Sequence, residues 1–172
     1  MKTPAFRTFL GLDAESSDAD RSFATILPLP LEKSVRACAG TSGGPASFLE
    51  ASQTLEPLDL HLGIDLRTVG VATLSPPDLD SLRLDEALRA IEQLVVEVAQ
   101  EGAWPLAVGG EQSLSLGMAR GLRRLHGPLS ILHLGPRPDF LDSRDGSRLS
   151  HRSVLRRLSE DGFEIASLGT VE

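Results

Sequence analysis

The chain has 172 residues and a formal net charge of −7. That length suits one domain with its own core, and that charge argues against a nucleic-acid or anionic-membrane surface. No apolar run approaches the ~20 residues of a membrane helix, the N-terminus lacks the apolar region of a secretory signal, and the single cysteine, Cys38, excludes an internal disulfide and fits a cytoplasmic setting.

In chain order, the apolar run at 23–30 predicts a buried first strand that stops at its prolines. The stretch 40–45 is a Gly-rich loop, and Pro45 suits the first turn of a short helix from Ala46 to Leu55. Residues 58–65 alternate polar and apolar, which predicts a half-exposed strand near a sheet edge. Leu84, Leu88, Ile91, Val95 and Val98 recur at helical steps within 80–101, and Gly102 follows as a stop. A buried strand at 104–108, a helix at 114–125, a strand at 129–134, a helix at 150–160 and a strand at 163–168 complete the alternation. Strand then helix, repeated, predicts a three-layer α/β/α fold with a mainly parallel sheet of about five strands in a single domain over 1–172. Residues 142–148 read as a polar and mobile loop. Arginines crowd the last third, either as solvated helix faces or as a basic surface that meets an acidic partner.

Two strand ends carry chemistry. Residues 104–115 read Trp-Pro-Leu-Ala-Val-Gly-Gly-Glu-Gln-Ser-Leu-Ser, and 129–139 read Leu-Ser-Ile-Leu-His-Leu-Gly-Pro-Arg-Pro-Asp. Both resemble the arginase/agmatinase (ureohydrolase) family, in which one strand runs into Gly-Gly-Asp-His-Ser and another into His-x-Asp-Ala-His-x-Asp. Thr8–Leu12, Gly40–Ser52 and Ser150–Ser153 resemble further segments of that family, so the likeness covers about 8–172, its N-terminal half. The resemblance implies an arginase-like sheet and a pair of manganese ions that activate water against a guanidino carbon.

At the matching positions this chain departs from the pattern. Glu111 stands for the Asp of the first motif and Gln112 for its ligand His; Gly135 and Arg137 replace two ligands of the second, and Asp139 alone is retained. Glutamine is a poor ligand, glycine offers no side chain, and arginine only donates hydrogen bonds. The family's remaining two aspartate ligands belong to a Ser-x-Asp-x-Asp motif expected beyond Glu172. These substitutions predict that no metal cofactor is held and that no residue here is catalytic.

Arg137 has two open readings: a salt-bridge cluster with Asp139 and Glu111, or a solvated side chain. His133 is expected to be packed and hydrogen-bonded, with a place in a substrate pocket as its other reading, and His151 either faces that pocket or lies exposed at a helix start. Asp78–Asp80 and Asp142–Asp145 read as turns or caps. The resulting expectation is a non-catalytic or partner-dependent subunit, in a homo- or hetero-oligomer, with a chain carrying intact motifs as one candidate partner. The alternative is a guanidino-compound hydrolase completed by another chain.

The resemblance also implies the strand order 2-1-3-8-7-4-5-6, in which two strands of the second half separate the third and fourth. Without them, either the strands close into an order 2-1-3-4-5, as in other doubly wound domains, or foreign strands fill the gap. Closure is the expectation for the isolated chain, because a right-handed crossover allows it.

Overall fold

A buried and mostly apolar hexamer, Ala-Thr-Ile-Leu-Pro-Leu, forms the axis of the molecule as strand β1 (Ala24–Leu29), with all six residues out of solvent. Such an unbroken run is what a parallel strand covered on both faces requires. The computed structural model describes residues 7–35 and 39–171; Cys38 lies outside them. Helix α1 (Gly44–Ser52) follows, then the short strands β2 (Leu58–Asp59) and β3 (Ile64–Asp65), helix α2 (Leu66–Val69) and strand β4 (Val71–Thr73). The second part runs through α3 (Leu84–Gln100), β5 (Trp104–Gly109), α4 (Leu114–His126), β6 (Ser130–Leu134), α5 (Val154–Glu160) and β7 (Glu164–Leu168).

β1 pairs in parallel with β4 on one side and β5 on the other, giving a three-stranded sheet in the order β4-β1-β5. β6 and β7 form a separate parallel pair, in register from Ser130↔Glu164 to Leu134↔Leu168. The chain is thus a mixed α/β protein with parallel sheets and flanking helices, as its alternating pattern predicted.

Helix α3 presents its predicted stripe inward: Leu88, Ile91, Val95 and Val98 are buried against Leu27, Leu29 and Leu116. At its start the Glu86 carboxylate accepts the backbone N–H of Arg83 at 2.9 Å, satisfying one donor that the first turn leaves over. Helix α4 can lie close to α3 because two of its positions have no side chain. A Cβ at Gly117 would sit 2.6 Å from the Leu88 carbonyl oxygen, and one at Gly121 would sit 2.7 Å from that of Glu92.

Three expectations need correction. The strands do not close into the order 2-1-3-4-5: β5 is hydrogen-bonded to β1 but not to β6, and β6 only to β7. The close α3–α4 seam fixes α4, while Ile131 and Ile165 anchor the β6–β7 pair to the same core. Pro105 adds a local obstacle to pairing, because it has no N–H to give a neighbour. Second, residues 58–65 are not one edge strand. β2 and β3 make a two-rung antiparallel ribbon apart from the main sheet, with Leu60 and Leu62 exposed, and the neighbour of β1 is the three-residue β4, which the pattern did not reveal. Third, the helix expected at 150–160 begins at Val154, and Ser150–Ser153 form the turn before it. Among the described residues, no helix is long and apolar enough to cross a membrane.

Candidate functional site

The first motif turns sharply at the end of β5. A Cβ at Gly110 would lie 2.1 Å from the Leu31 carbonyl oxygen, so only glycine lets this turn lie against the segment after β1. The Glu111 N–H then donates to that carbonyl at 2.7 Å and directs its side chain inward.

Glu111 is 2% exposed. Its Oε2 accepts the backbone N–H groups of Lys33 (2.8 Å), Ser34 (2.6 Å) and Val35 (3.2 Å). Its Oε1 accepts the hydroxyls of Ser34, at 2.9 Å, and of Ser113. Glu111 therefore ties the loop after β1 to the start of α4, and it does not pair with Arg137. That part of the expected cluster is corrected: the carboxylate is already saturated by donors from a nearer loop.

Ser34 extends the network to the turn before α5. Its Oγ lies 2.8 Å from His151 Nδ1 and accepts the His151 backbone N–H at 2.9 Å. A serine hydroxyl has one proton, and here it goes to Glu111, so His151 must donate from Nδ1. His151 is half-buried rather than exposed on a helix start, and its pKa is lowered from 6.5. Burial is the main cause; the charges of Arg144 and Arg137 lower it further, opposed by Glu111 and Asp139. Two residues earlier, Glu32 grips the Gly-rich turn, accepting N–H groups from Gly40 and Ser42 and the Thr41 hydroxyl. These donors, Ser42 and Gly40 first, hold its pKa down at about 2.

The second motif ends β6. His133 Nδ1 lies 2.7 Å from Ser167 Oγ on the paired strand β7. Its ring covers the next inward position, since a Cβ at Gly135 would be 3.0 Å from His133 Nε2. Asp139 has a left-handed backbone (φ 41°) and turns a carboxylate that is 1% exposed into the protein. Arg137 Nε stands 3.7 Å from Asp139 Oδ1 and Arg152 Nε stands 3.4 Å from the same oxygen, which accepts no hydrogen bond. Arg137 is 54% exposed, so it is at once ion-paired and largely solvated. Gln112, His133, Gly135, Arg137 and Asp139 line one cleft of about 280 Å³; Glu111 and His151 lie in the neighbouring network.

Sequence reasoning missed Ser34 and the role of Arg152. Arg152 sits inside the quoted Ser-His-Arg-Ser segment, but Ser34 carries no local signal. The arginines of the last third have acidic neighbours of their own: Arg120 pairs with Asp161 at 2.7 Å, Arg124 with Glu92 at 3.2 Å, and Arg157 with Asp142 at 3.0 Å. Among the described residues, no three His, Cys, Asp or Glu side chains gather as a metal-binding group.

Comparison with known proteins places this geometry. The description of the arginase family matches residues 23–170. The chain belongs to the arginase family. It is 31% identical to the N(1)-aminopropylagmatine ureohydrolase of Thermus thermophilus over 84% of its own length and 49% of that protein. It is 28% identical to the guanidinobutyrase of Pseudomonas aeruginosa over 86% of its length and 46% of that protein. This arginase-family chain thus spans about half the length of the curated relatives it matches. Among solved structures, the agmatine ureohydrolase of Thermoplasma volcanium shares the fold with a TM-score of 0.79, at 22% identity, over 91% of this chain and 54% of that one. The arginase of Medicago truncatula gives 0.78 at 20% identity, over 92% and 56%.

Proposed function

We propose that this arginase-family chain is a non-catalytic subunit whose former metal position has become an ion-paired structural centre. The observation that carries this reading is the convergence of Arg137 and Arg152 on Asp139, the one ligand position that keeps its residue. Two permanently protonated guanidinium groups there oppose a divalent cation. The other positions do not fit manganese either: Gln112 is neutral, and Gly135 has no side chain and has the His133 ring 3.0 Å from where a Cβ would stand. What the residues do is mechanical, with Glu111 clamping the loop after β1, Ser34 linking it to His151, and Asp139 fixing the entry to α5 through its carbonyl, which accepts the Leu155 N–H at 3.2 Å.

The second reading is a guanidino-compound hydrolase, agmatinase-like and releasing urea, completed by another chain in a homo- or hetero-oligomer. What favours it is the pair of open strand edges on β5 and β6. Metal analysis of the purified chain after equilibration with manganese, with a urea-release assay on agmatine and arginine, separates the two. The non-catalytic reading expects sub-stoichiometric manganese and no urea, with or without added partner chains. One manganese or more per chain, or metal-dependent urea release, overturns it.

A further inference from the structure

The cleft that ends β6 combines an excess of cationic donors with one orphaned acceptor. Arg137 and Arg152 meet Asp139 as ion pairs, at 3.7 and 3.4 Å, yet neither donates a hydrogen bond to it. Among the described residues, Asp139 Oδ1 therefore has no donor, although the side chain is only 1% exposed. A buried carboxylate oxygen ordinarily accepts at least one. Two guanidinium groups against one carboxylate leave a positive charge over. Glu111 lies in the adjoining network with both oxygens committed to the loop after β1 and to Ser113. Gln112 and His133 line the same cleft with side chains that can also donate.

A ligand that answers this set needs negative charge for the guanidinium groups and an O–H or N–H for Asp139. The planar guanidinium fork suits oxyanions. A fully deprotonated oxyanion such as sulfate meets the arginines but sets a like charge against Asp139. Hydrogen phosphate has both parts, charged oxygens and a hydroxyl that it keeps at neutral pH. The cleft holds about 280 Å³. That is below the ~300–1,000 Å³ of pockets for drug-sized ligands, and it suits a small ion.

We infer that this cleft is a binding site for hydrogen phosphate, with Arg137 and Arg152 donating to its charged oxygens and Asp139 accepting from its hydroxyl. The inference deepens the non-catalytic reading and rests on it in one respect, that no metal occupies the position. Asp139 is the discriminating residue, because a site built to pair a ligand hydroxyl rejects the analogue that lacks one. A second arginine-lined hollow, beside α4, has no such orphan. There Arg120 and Arg124 already pair with Asp161 and Glu92, and Arg123 donates to the Asp161 carbonyl.

The test titrates the chelator-treated, metal-free chain with sodium phosphate and with sodium sulfate at neutral pH and constant ionic strength. Calorimetry reads affinity, and the ring resonances of His133 and His61 read location. The inference expects saturable 1:1 phosphate binding at least tenfold tighter than sulfate. The His133 ring should shift, while that of His61, on the β2–β3 ribbon, should not. Arg137→Gln should weaken phosphate at least fivefold with the circular dichroism unchanged, whereas Arg124→Gln beside α4 should leave it within twofold. Asp139→Asn supplies a donor at that position, so sulfate should come within threefold of phosphate. If that variant does not fold, the two arginine variants and the His133 shift decide. No saturable phosphate binding, equal affinity for the two ions, or loss of binding through Arg124→Gln overturns the inference and leaves the non-catalytic reading standing. Phosphate that binds only after manganese is loaded overturns both.

Discussion

Replacing Glu111 with alanine removes the acceptor that, among the described residues, the backbone N–H groups of Lys33, Ser34 and Val35 share, and with it the partner of the Ser34 and Ser113 hydroxyls. Hydrogen bonds to a charged group contribute about 1.5–3 kcal/mol each, and a buried donor left alone costs about 1–3 kcal/mol. The hydroxyls can rotate to new partners and the losses share one site, so they do not add fully. The expected destabilisation is roughly 3–5 kcal/mol, which for a chain of this size lowers Tm by about 6–20 °C. Glu111→Gln separates the two oxygens. Its amide oxygen can keep the three N–H groups while its NH2 donates to the serine hydroxyls, so it should cost only ~1–2 kcal/mol. Urea denaturation followed by circular dichroism measures both. A Glu111→Ala chain within ~1 kcal/mol of the parent would refute the clamp, as would equal costs for the alanine and glutamine variants.

Arg152→Ala should destabilise by ~1–3 kcal/mol and Arg137→Ala by less than ~1 kcal/mol, because only the Arg152 Nε is out of solvent beside Asp139; thermal melts at neutral pH rank them, and the reverse order contradicts this geometry. Gly117→Ala should cost about 1–3 kcal/mol despite alanine's better helix propensity, since its Cβ meets backbone of α3 at 2.6 Å; a stabilised variant would show that the helices can separate freely. Glu32 has a folded pKa of about 2 against an ordinary 4.5, so its hold on the Gly-rich turn is fully present above pH 4.5 and is lost as pH falls through about 2; carboxyl carbon shifts on titration check the value. His151 has a lowered pKa, so its contribution is present above pH 6.5 and falls away as pH drops below that toward its folded value; a ring-proton titration at or above 6.5 would contradict its burial.

What the sequence by itself determined is the alternation of elements and their helix stripes, because those depend on neighbours three or four residues away. The run 24–29, the stripe from Leu88 to Val98 and the glycine turn at 109–110 all encode their own environment. The cleft formed by Gln112, His133, Gly135, Arg137 and Asp139 was legible as two strand ends marked by Gly or Pro. Strand neighbours were not legible. Pairing depends on which edges meet across the fold, and the crossover through α4 permits both a closed and an open arrangement. Only the close α3–α4 contact and the anchoring of Ile131 and Ile165 decided for two separate sheets. The three-residue β4 is too short to show a period, and the alternation at 58–65 fits an exposed ribbon as well as an edge strand. Nor could periodicity assign the partner of Glu111, which comes from a loop more than seventy residues away. Buried carboxylates take the donors that the fold brings nearest, and for Glu111 those were backbone N–H groups rather than Arg137.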